Sequence, residues 1–252
     1  MRIAVLVKQV PDTWNERRLD PATGVLDRAS SDLVIDEINE RALEAALVVK
    51  DSDNTTEIVV ITMGPASATE VLRKGLSMGA DSAVHILDSA LAAADYVSTA
   101  ATLAAILREG SFDLVIAGNQ STDGRGGVIP AMLAEHLDLP LLSNLDTIEI
   151  TESDVRGERG IEGATQSVHA ALPAIISVTE RANEPRFPTF KGIMGAKRKP
   201  VDAVTAGPPV DASHSVIVTV AERPARNAGI RIIDDGTAAT QLVDFLVAGR
   251  LI

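Results

Sequence analysis

Short apolar runs alternate with amphipathic stretches through the first 180 residues of the chain. Five runs have strand length and no polar alternation, which is typical of parallel strands covered on both faces: residues 3–7, 57–62, 83–87, 112–117 and 174–178. Between them, apolar residues recur at helical spacing, as in the segment from Ile38 to Val49. This alternation predicts a doubly wound, mostly parallel α/β sheet.

The pattern changes after residue 180. Residues 181–212 contain five prolines, several glycines and little periodicity, which predicts an extended arm. A last helical segment, 238–251, follows; it either returns to its own domain or packs on a partner chain, and the long arm favours the partner. The predicted division has three parts: an α/β nucleotide-binding domain at 1–180, a partner-recognition loop at 181–200, and a C-terminal arm and helix at 201–252 that docks on the partner subunit.

Charge and composition exclude several classes of protein. The chain has 23 basic and 35 acidic side chains, a net charge of −12, which disfavours nucleic acid as a partner. It has no cysteine and only four isolated histidines, so we expect no metal site and no cysteine-ligated cluster. No apolar stretch approaches the roughly 18 residues of a membrane span, and we expect a cytoplasmic protein without direct membrane insertion.

A glycine-rich loop carries the clearest sign of chemistry. Residues 118–127 follow the predicted strand 112–117 and precede a helix, where glycines let backbone N–H groups approach a phosphate. The same residues could form a ligand-free turn. Loops at 8–12 and 63–65 should face the same edge of the sheet. Asp36, just before a helix, either caps that helix or accepts a ribose hydroxyl, and capping is favoured.

A second feature is the basic segment 186–199, which holds five positive charges and no negative one in an otherwise acidic chain. Its apolar residues could anchor a partner protein inside a cationic rim. The alternative is a solvated linker whose aromatic residues fold back on the domain.

Several segments together resemble the beta subunit of electron transfer flavoprotein. They are, in order, 7–12 (VKQVPD), 63–65 (MGP), 76–81 (LSMGAD), 118–123 (GNQSTD) and 183–186 (NEPR). The resemblance implies a non-catalytic electron carrier subunit that pairs with an alpha subunit holding most of the redox FAD. It also implies acyl-CoA and related dehydrogenases as electron donors, in fatty acid β-oxidation for example, and a membrane quinone oxidoreductase as acceptor.

The resemblance also implies a bound AMP, and with it a Rossmann-like adenine-nucleotide-binding domain that carries an extended C-terminal arm and terminal helix. The positions that match the family's AMP-binding segments are Leu6, Asp36, Met63, Gly118, Asn119, Gln120, Ser121, Thr122, Asp123, Gly124, Arg125, Gly126, Gly127, Val128 and Ile129. The family's dehydrogenase-docking loop matches the region around Phe190, and its candidate contacts here are Phe187, Phe190, Ile193, Met194, Lys197 and Lys199. Asp36 replaces a frequent Asn, and Gly160 lacks an acidic side chain often found there.

Three other functions are considered. A bifurcating electron transfer flavoprotein would hold a second FAD at the AMP site. A stand-alone ATP-binding stress or signalling module would use the same glycine-rich loop without a partner. An adenylate-forming enzyme should carry an S-G-G-x-D-S loop after the first strand, and residues 8–12 do not supply one.

Overall fold

The computed structural model describes residues 1–28, 30–92, 94–206, 215, 217–221, 223–226 and 228–252. The strands of the described residues are β1 (Arg2–Leu6), β2 (Gln9–Pro11), β3 (Leu33–Ile35), β4 (Glu57–Met63), β5 (Ser82–Ile86), β6 (Leu114–Gly118), β7 (Leu141–Leu145), β8 (Thr147–Ile150), β9 (Asp154–Ile161), β10 (Ala164–Ala171), β11 (Ala174–Val178) and β12 (Val201–Val204). The α-helices are α1 (Glu37–Ser52), α2 (Thr69–Met78), α3 (Tyr96–Gly110), α4 (Ile129–Leu137), α5 (Phe190–Ala196) and α6 (Ala238–Ala248).

Seven strands form one parallel sheet in the order β12-β5-β4-β1-β6-β11-β7. All five predicted strand runs lie in it, as β1, β4, β5, β6 and β11. The strand order reverses beside β1, because β4 pairs with one of its edges and β6 with the other. The predicted doubly wound α/β fold is therefore confirmed, and its switch point lies between β1 and β6.

Two apolar layers cover the sheet. In β1, Ile3 and Val5 pack with α1 and α2 on one face, whereas Ala4 and Leu6 pack with α3 and α4 on the other. Successive strand residues point to opposite faces, so a strand buried on both sides reads as an uninterrupted apolar run. This is the pattern from which the strands were predicted.

A three-stranded antiparallel sheet, in the order β10-β9-β8, was not predicted. It is inserted between β7 and β11, and Ile148, Val155 and Val168 pack on the face that also carries α1 and α2. Its other face is largely exposed, so its strands contain many polar residues and lack the continuous apolar signature.

The expectation of an irregular arm from residue 181 is wrong for residues 190–204. This stretch contains α5 and β12, and β12 extends the parallel sheet by pairing with β5. The sheet thus continues past the predicted boundary at residue 180, and the first compact unit is Met1–Val218. Long-range contacts, described below, hold this short helix in spite of its two glycines and flanking prolines.

The second unit is Thr219–Ile252. It contains α6, which ends a few residues before the predicted limit at 251 and whose residues Leu242, Val243 and Phe245 are each about half exposed. Positions 207–214, 216, 222 and 227 of the predicted arm lie outside the described residues. Within the described chain, every helix is too short or too polar to cross a bilayer.

Candidate functional site

A cavity of about 790 Å³ opens where the carboxyl ends of the central strands meet. Residues at the ends of β1, β4, β5 and β6 line it, together with the first turns of α3 and α4. This is the switch-point position at which open α/β sheets bind ligands. Nine of the predicted AMP contacts are in its lining: Leu6, Met63, Gly118, Asn119, Gln120, Ser121, Gly126, Gly127 and Ile129.

The glycine-rich loop forms the cavity wall after β6. Gly127 has a φ of +65°, a conformation that favours glycine. A Cβ at Gly118 would lie 2.7 Å from the side-chain nitrogen of Asn39, so the strand end fits closely against α1. These two glycines are required by the path and packing of the loop, whatever ligand it binds.

Asp36 lies outside the cavity lining and supports the loop from behind. Its side chain is buried and caps α1 by accepting a hydrogen bond from the Ile38 N–H at 3.0 Å. Its other oxygen accepts the backbone N–H of Thr122 at 2.7 Å and the Thr122 hydroxyl at 3.0 Å. The structure thus gives Asp36 the favoured capping role and adds a contact that positions the loop. Because Asp36 is fully buried outside the cavity lining, its carboxylate is not presented to a ribose hydroxyl in the cavity.

A charged cluster, Lys8, Arg28 and Asp123, stands at the rim of the cavity. The Asp123 carboxylate accepts the Lys8 ammonium at 2.7 Å and the Arg28 guanidinium at 2.8 Å. Burial alone would raise the pKa of Asp123, but hydrogen bonds and charge from Lys8, with further hydrogen bonds from Ser121 and Gly124, hold that pKa at about 2. Both Lys8 and Arg28 line the cavity, as does the carboxylate of Asp88, so the wall carries charges of both signs.

One polar atom at the cavity lacks a partner. The side-chain oxygen of Asn119 is removed from solvent, yet it accepts no hydrogen bond from any residue that the structure describes. A buried acceptor without a donor is unfavourable, so this oxygen is suited to accept a hydrogen bond from a bound ligand. The predicted contacts Thr122, Asp123, Gly124, Arg125 and Val128 lie outside the lining and form the rest of the loop.

The sequence analysis missed part of the wall. The cavity is also lined by the connection after β5, including Leu87 and Leu91, and by the first turns of α3, including Tyr96 and Leu103. A signal was present, because the carboxyl end of β5 had to face the same edge of the sheet as the other strand ends.

The predicted docking residues form an exposed apolar surface around α5. Phe187 is 90% exposed and Phe190 is 80% exposed, and Ile193 and Met194 are nearly half exposed. Lys197 is exposed beside them. Lys199 has a different place, because its ammonium donates to the carbonyls of Leu76 and Ala80 at the end of α2, and burial lowers its pKa.

Two arginines hold the backbone on either side of this surface. Arg73 of α2 donates to the carbonyls of Ala196, at 2.7 Å, and Lys199, at 2.9 Å. Arg186 forms an ion pair with the buried Glu44 at 2.7 Å and another with Asp51 at 2.7 Å. The apolar side chains are therefore presented on a fixed backbone, which lowers the entropy cost of binding a partner.

The fold places this chain among the doubly wound α/β proteins, and its cavity lies at the switch point, where such folds bind ligands. Comparison with known proteins specifies the family. The chain matches the electron transfer flavoprotein domain model over residues 23–209. It is 46% identical over 265 residues to the electron transfer flavoprotein subunit beta of Mycobacterium leprae, with 99% of each chain covered.

Two further relatives are more distant. The caffeyl-CoA reductase-Etf complex subunit CarD of Acetobacterium woodii is 39% identical over 202 residues, which cover 80% of this chain and 77% of CarD. The electron transfer flavoprotein subunit beta of Megasphaera elsdenii is 31% identical over 271 residues, with all of both chains covered. This chain belongs to the electron transfer flavoprotein beta-subunit family. Members of this family are subunits of flavin-containing electron carriers and pair with an alpha subunit.

Proposed function

We propose that this chain is the beta subunit of a heterodimeric electron transfer flavoprotein and binds AMP as a structural nucleotide. The observation that carries the AMP assignment is the cavity at the switch point, which combines a glycine-rich loop, the cations Lys8 and Arg28 and the unpartnered oxygen of Asn119. Lys8, Arg28 and those backbone N–H groups of the loop that do not already donate within the protein would hold the phosphate. The apolar side chains of Leu6 and Met63 would contact the nucleoside.

The test is to purify the full chain, release its bound small molecules with acid and identify them by chromatography and mass spectrometry. We expect AMP at about one per chain. Recovery of FAD from this site would favour the bifurcating form, and a chain that neither retains nor binds an adenine nucleotide would refute the assignment.

The bifurcating form is the second candidate, with FAD in place of AMP. It is favoured by the similarity to a subunit of the caffeyl-CoA reductase-Etf complex and by a cavity volume in the upper part of the usual range for ligand sites. A stand-alone ATP-binding module is not favoured, because the chain belongs to a family of electron transfer subunits.

The redox chemistry in this proposal belongs to the heterodimer. The flavin accepts and donates electrons when it is bound, and the alpha subunit holds most of it. Within this chain, α6 presents the apolar residues Leu242, Phe245 and Val247, which suit docking on that alpha subunit. The chain expressed alone should then be colourless, and one FAD per heterodimer should appear on co-expression. Stoichiometric FAD on the isolated chain would contradict this division.

The surface around α5 is the proposed contact for acyl-CoA and related dehydrogenases. The reduced carrier, a cytoplasmic protein in this proposal, would then pass its electrons to a membrane quinone oxidoreductase. Exposed Phe190 is the apolar anchor, and Lys191, Lys197 and Arg198 provide a cationic rim. Anchors contribute most to affinity, whereas rim charges mainly accelerate encounter.

This assignment is tested with the heterodimer and an acyl-CoA dehydrogenase. Truncation by Phe190→Ala should weaken binding by about thirtyfold, which corresponds to about 2 kcal/mol. The variant Lys197→Ala should give a smaller loss that disappears at high salt. Binding and flavin reduction by Phe190→Ala at the wild-type rate would place the dehydrogenase contact elsewhere.

A further inference from the structure

Tyr96 occupies a special position in the cavity. It is the first residue of α3, and it lines the cavity together with Thr99 and Leu103 from the same face of the helix. The chain has six aromatic residues, all within the described part, and Tyr96 is the one among them that lies in the cavity wall. About half of its surface is exposed, so the ring is accessible to a ligand.

The same ring contacts the glycine-rich loop. A Cβ built at Gly126 would lie 2.3 Å from both the Cζ and the hydroxyl oxygen of Tyr96, so the ring packs directly on the Gly126 backbone. The hydroxyl donates a hydrogen bond of 3.4 Å to the Gly124 carbonyl. Tyr96 therefore contacts the loop proposed to hold the phosphate and lines the same cavity as the apolar side chains of Leu91 and Leu103.

We propose that Tyr96 is a nucleotide-binding residue of this chain: its ring forms the wall on which the purine base of AMP packs, while its contact with Gly126 keeps the loop in place. The inference rests on the proposed nucleotide function and adds a residue outside the segments that suggested it. A purine presents flat apolar faces, and an aromatic ring is a favourable surface for one of them because stacking removes that face and the ring from water.

The expected effect follows from stacking. Removing an aromatic ring that stacks on a base weakens binding by about 5- to 150-fold. The hydroxyl should matter much less, because its hydrogen bond is long and half exposed. Tyr96→Ala should therefore weaken AMP binding within that range, and Tyr96→Phe should change it by about threefold or less.

The experiment is calorimetric titration of the nucleotide-free full chain with AMP, for the wild type, Tyr96→Ala and Tyr96→Phe. Trp14→Ala is the matched control, because Trp14 is a 93% exposed aromatic residue outside the cavity lining. This variant should bind AMP with the same affinity as the wild type. Circular dichroism checks that each variant is folded. Equal affinity of Tyr96→Ala and the wild type would overturn the inference, and so would a loss in Tyr96→Phe as large as that in Tyr96→Ala.

A second measurement reports on the ring itself. Tyr96 is the single tyrosine of the chain, so tyrosine labelled with carbon-13 in the ring gives signals from this residue alone. AMP should shift these signals through the ring current of the purine, and ribose 5-phosphate, which lacks the base, should not reproduce the shift. AMP binding without any shift overturns the role of Tyr96 and leaves the proposed function intact. Failure of the wild-type chain to bind or retain AMP overturns both.

Discussion

The ion pair between Arg186 and Glu44 allows a quantitative prediction about how strongly the start of the basic segment 186–199 is held on α1. Arg186 follows Pro185 and donates to Glu44 through its backbone N–H at 3.0 Å and through its guanidinium at 2.7 to 3.0 Å. The Glu44 side chain is only 8% exposed, whereas Asp51, the other partner, is 62% exposed. Glu44 is therefore the partner whose loss of pairing should cost most.

We expect Arg186→Met to lower the free energy of unfolding by about 3 kcal/mol, because it leaves the buried Glu44 carboxylate without its cation. Glu44→Gln should cost less, about 1 to 2 kcal/mol, since the amide oxygen still accepts a hydrogen bond and Arg186 keeps Asp51. Asp51→Asn is the matched control and should cost less than about 1 kcal/mol, as exposed ion pairs do.

The assay is urea unfolding of the nucleotide-free full chain, monitored by circular dichroism. The free energies of unfolding are compared between variants that share the same m value. The nucleotide is left out because a ligand bound to the native state would add its own stabilisation. The reasoning is refuted if Arg186→Met lies within 1 kcal/mol of the wild type, or if Asp51→Asn costs as much as Glu44→Gln.

Three further predictions concern the rim, α5 and α2. The pKa of Asp123, about 2, is below its ordinary value of 3.8, so this carboxylate stabilises the folded chain above about pH 4 and loses that contribution as the pH falls toward 2. Between pH 5 and pH 2 the free energy of unfolding of the wild type should fall by about 2 kcal/mol more than that of Asp123→Asn. Equal falls for the two proteins in urea unfolding would contradict this. A Cβ at Gly192 would lie 2.3 Å from the Ser77 carbonyl oxygen, whereas one at Gly195 meets nothing within 4 Å. Gly192→Ala should therefore lower the thermal midpoint and weaken dehydrogenase binding, and Gly195→Ala should leave both unchanged or raise the midpoint. The opposite order of the two variants would show that α5 does not pack on α2 in this way. Lys199→Met removes the cation bound to the carbonyls at the end of α2 and should lower the free energy of unfolding by about 1 kcal/mol. Lys197→Met, the control, should not change it measurably in urea unfolding. Equal stability of the two variants would argue against this capping role of Lys199.

The sequence predicts those strands of the fold that are covered by helices on both faces of the sheet. The five central strands are readable because they are continuous apolar runs. The strands β8 to β10 are not, because one face of their sheet meets solvent and β9 contains Gly157 and Gly160. Helix α5 has seven residues, two of them glycine, and depends on contacts with Arg73 and Ser77 that no local pattern encodes.

The candidate site is predicted to a similar degree. The glycine-rich loop could be placed because its position after β6 fixes which edge of the sheet it faces. Tyr96 could not be recognised as part of the cavity wall, because a lone aromatic residue at the start of a helix has no distinguishing spacing. The double use of Asp36 was also hidden: the capping pattern is local, whereas the contact with Thr122 spans 86 positions.

The contacts that fix α5 have a consequence for biosynthesis. They join positions 123 and 142 residues apart, from Arg73 to Ala196 and from Glu44 to Arg186. Contacts between such distant positions form late, after the intervening chain has closed into the domain. A nascent or partly folded chain therefore cannot present Phe187 and Phe190 in their final arrangement until residue 199 has been synthesised and β12 has joined the sheet. Under the proposed function, recruitment of a dehydrogenase would then also select for chains that have finished folding.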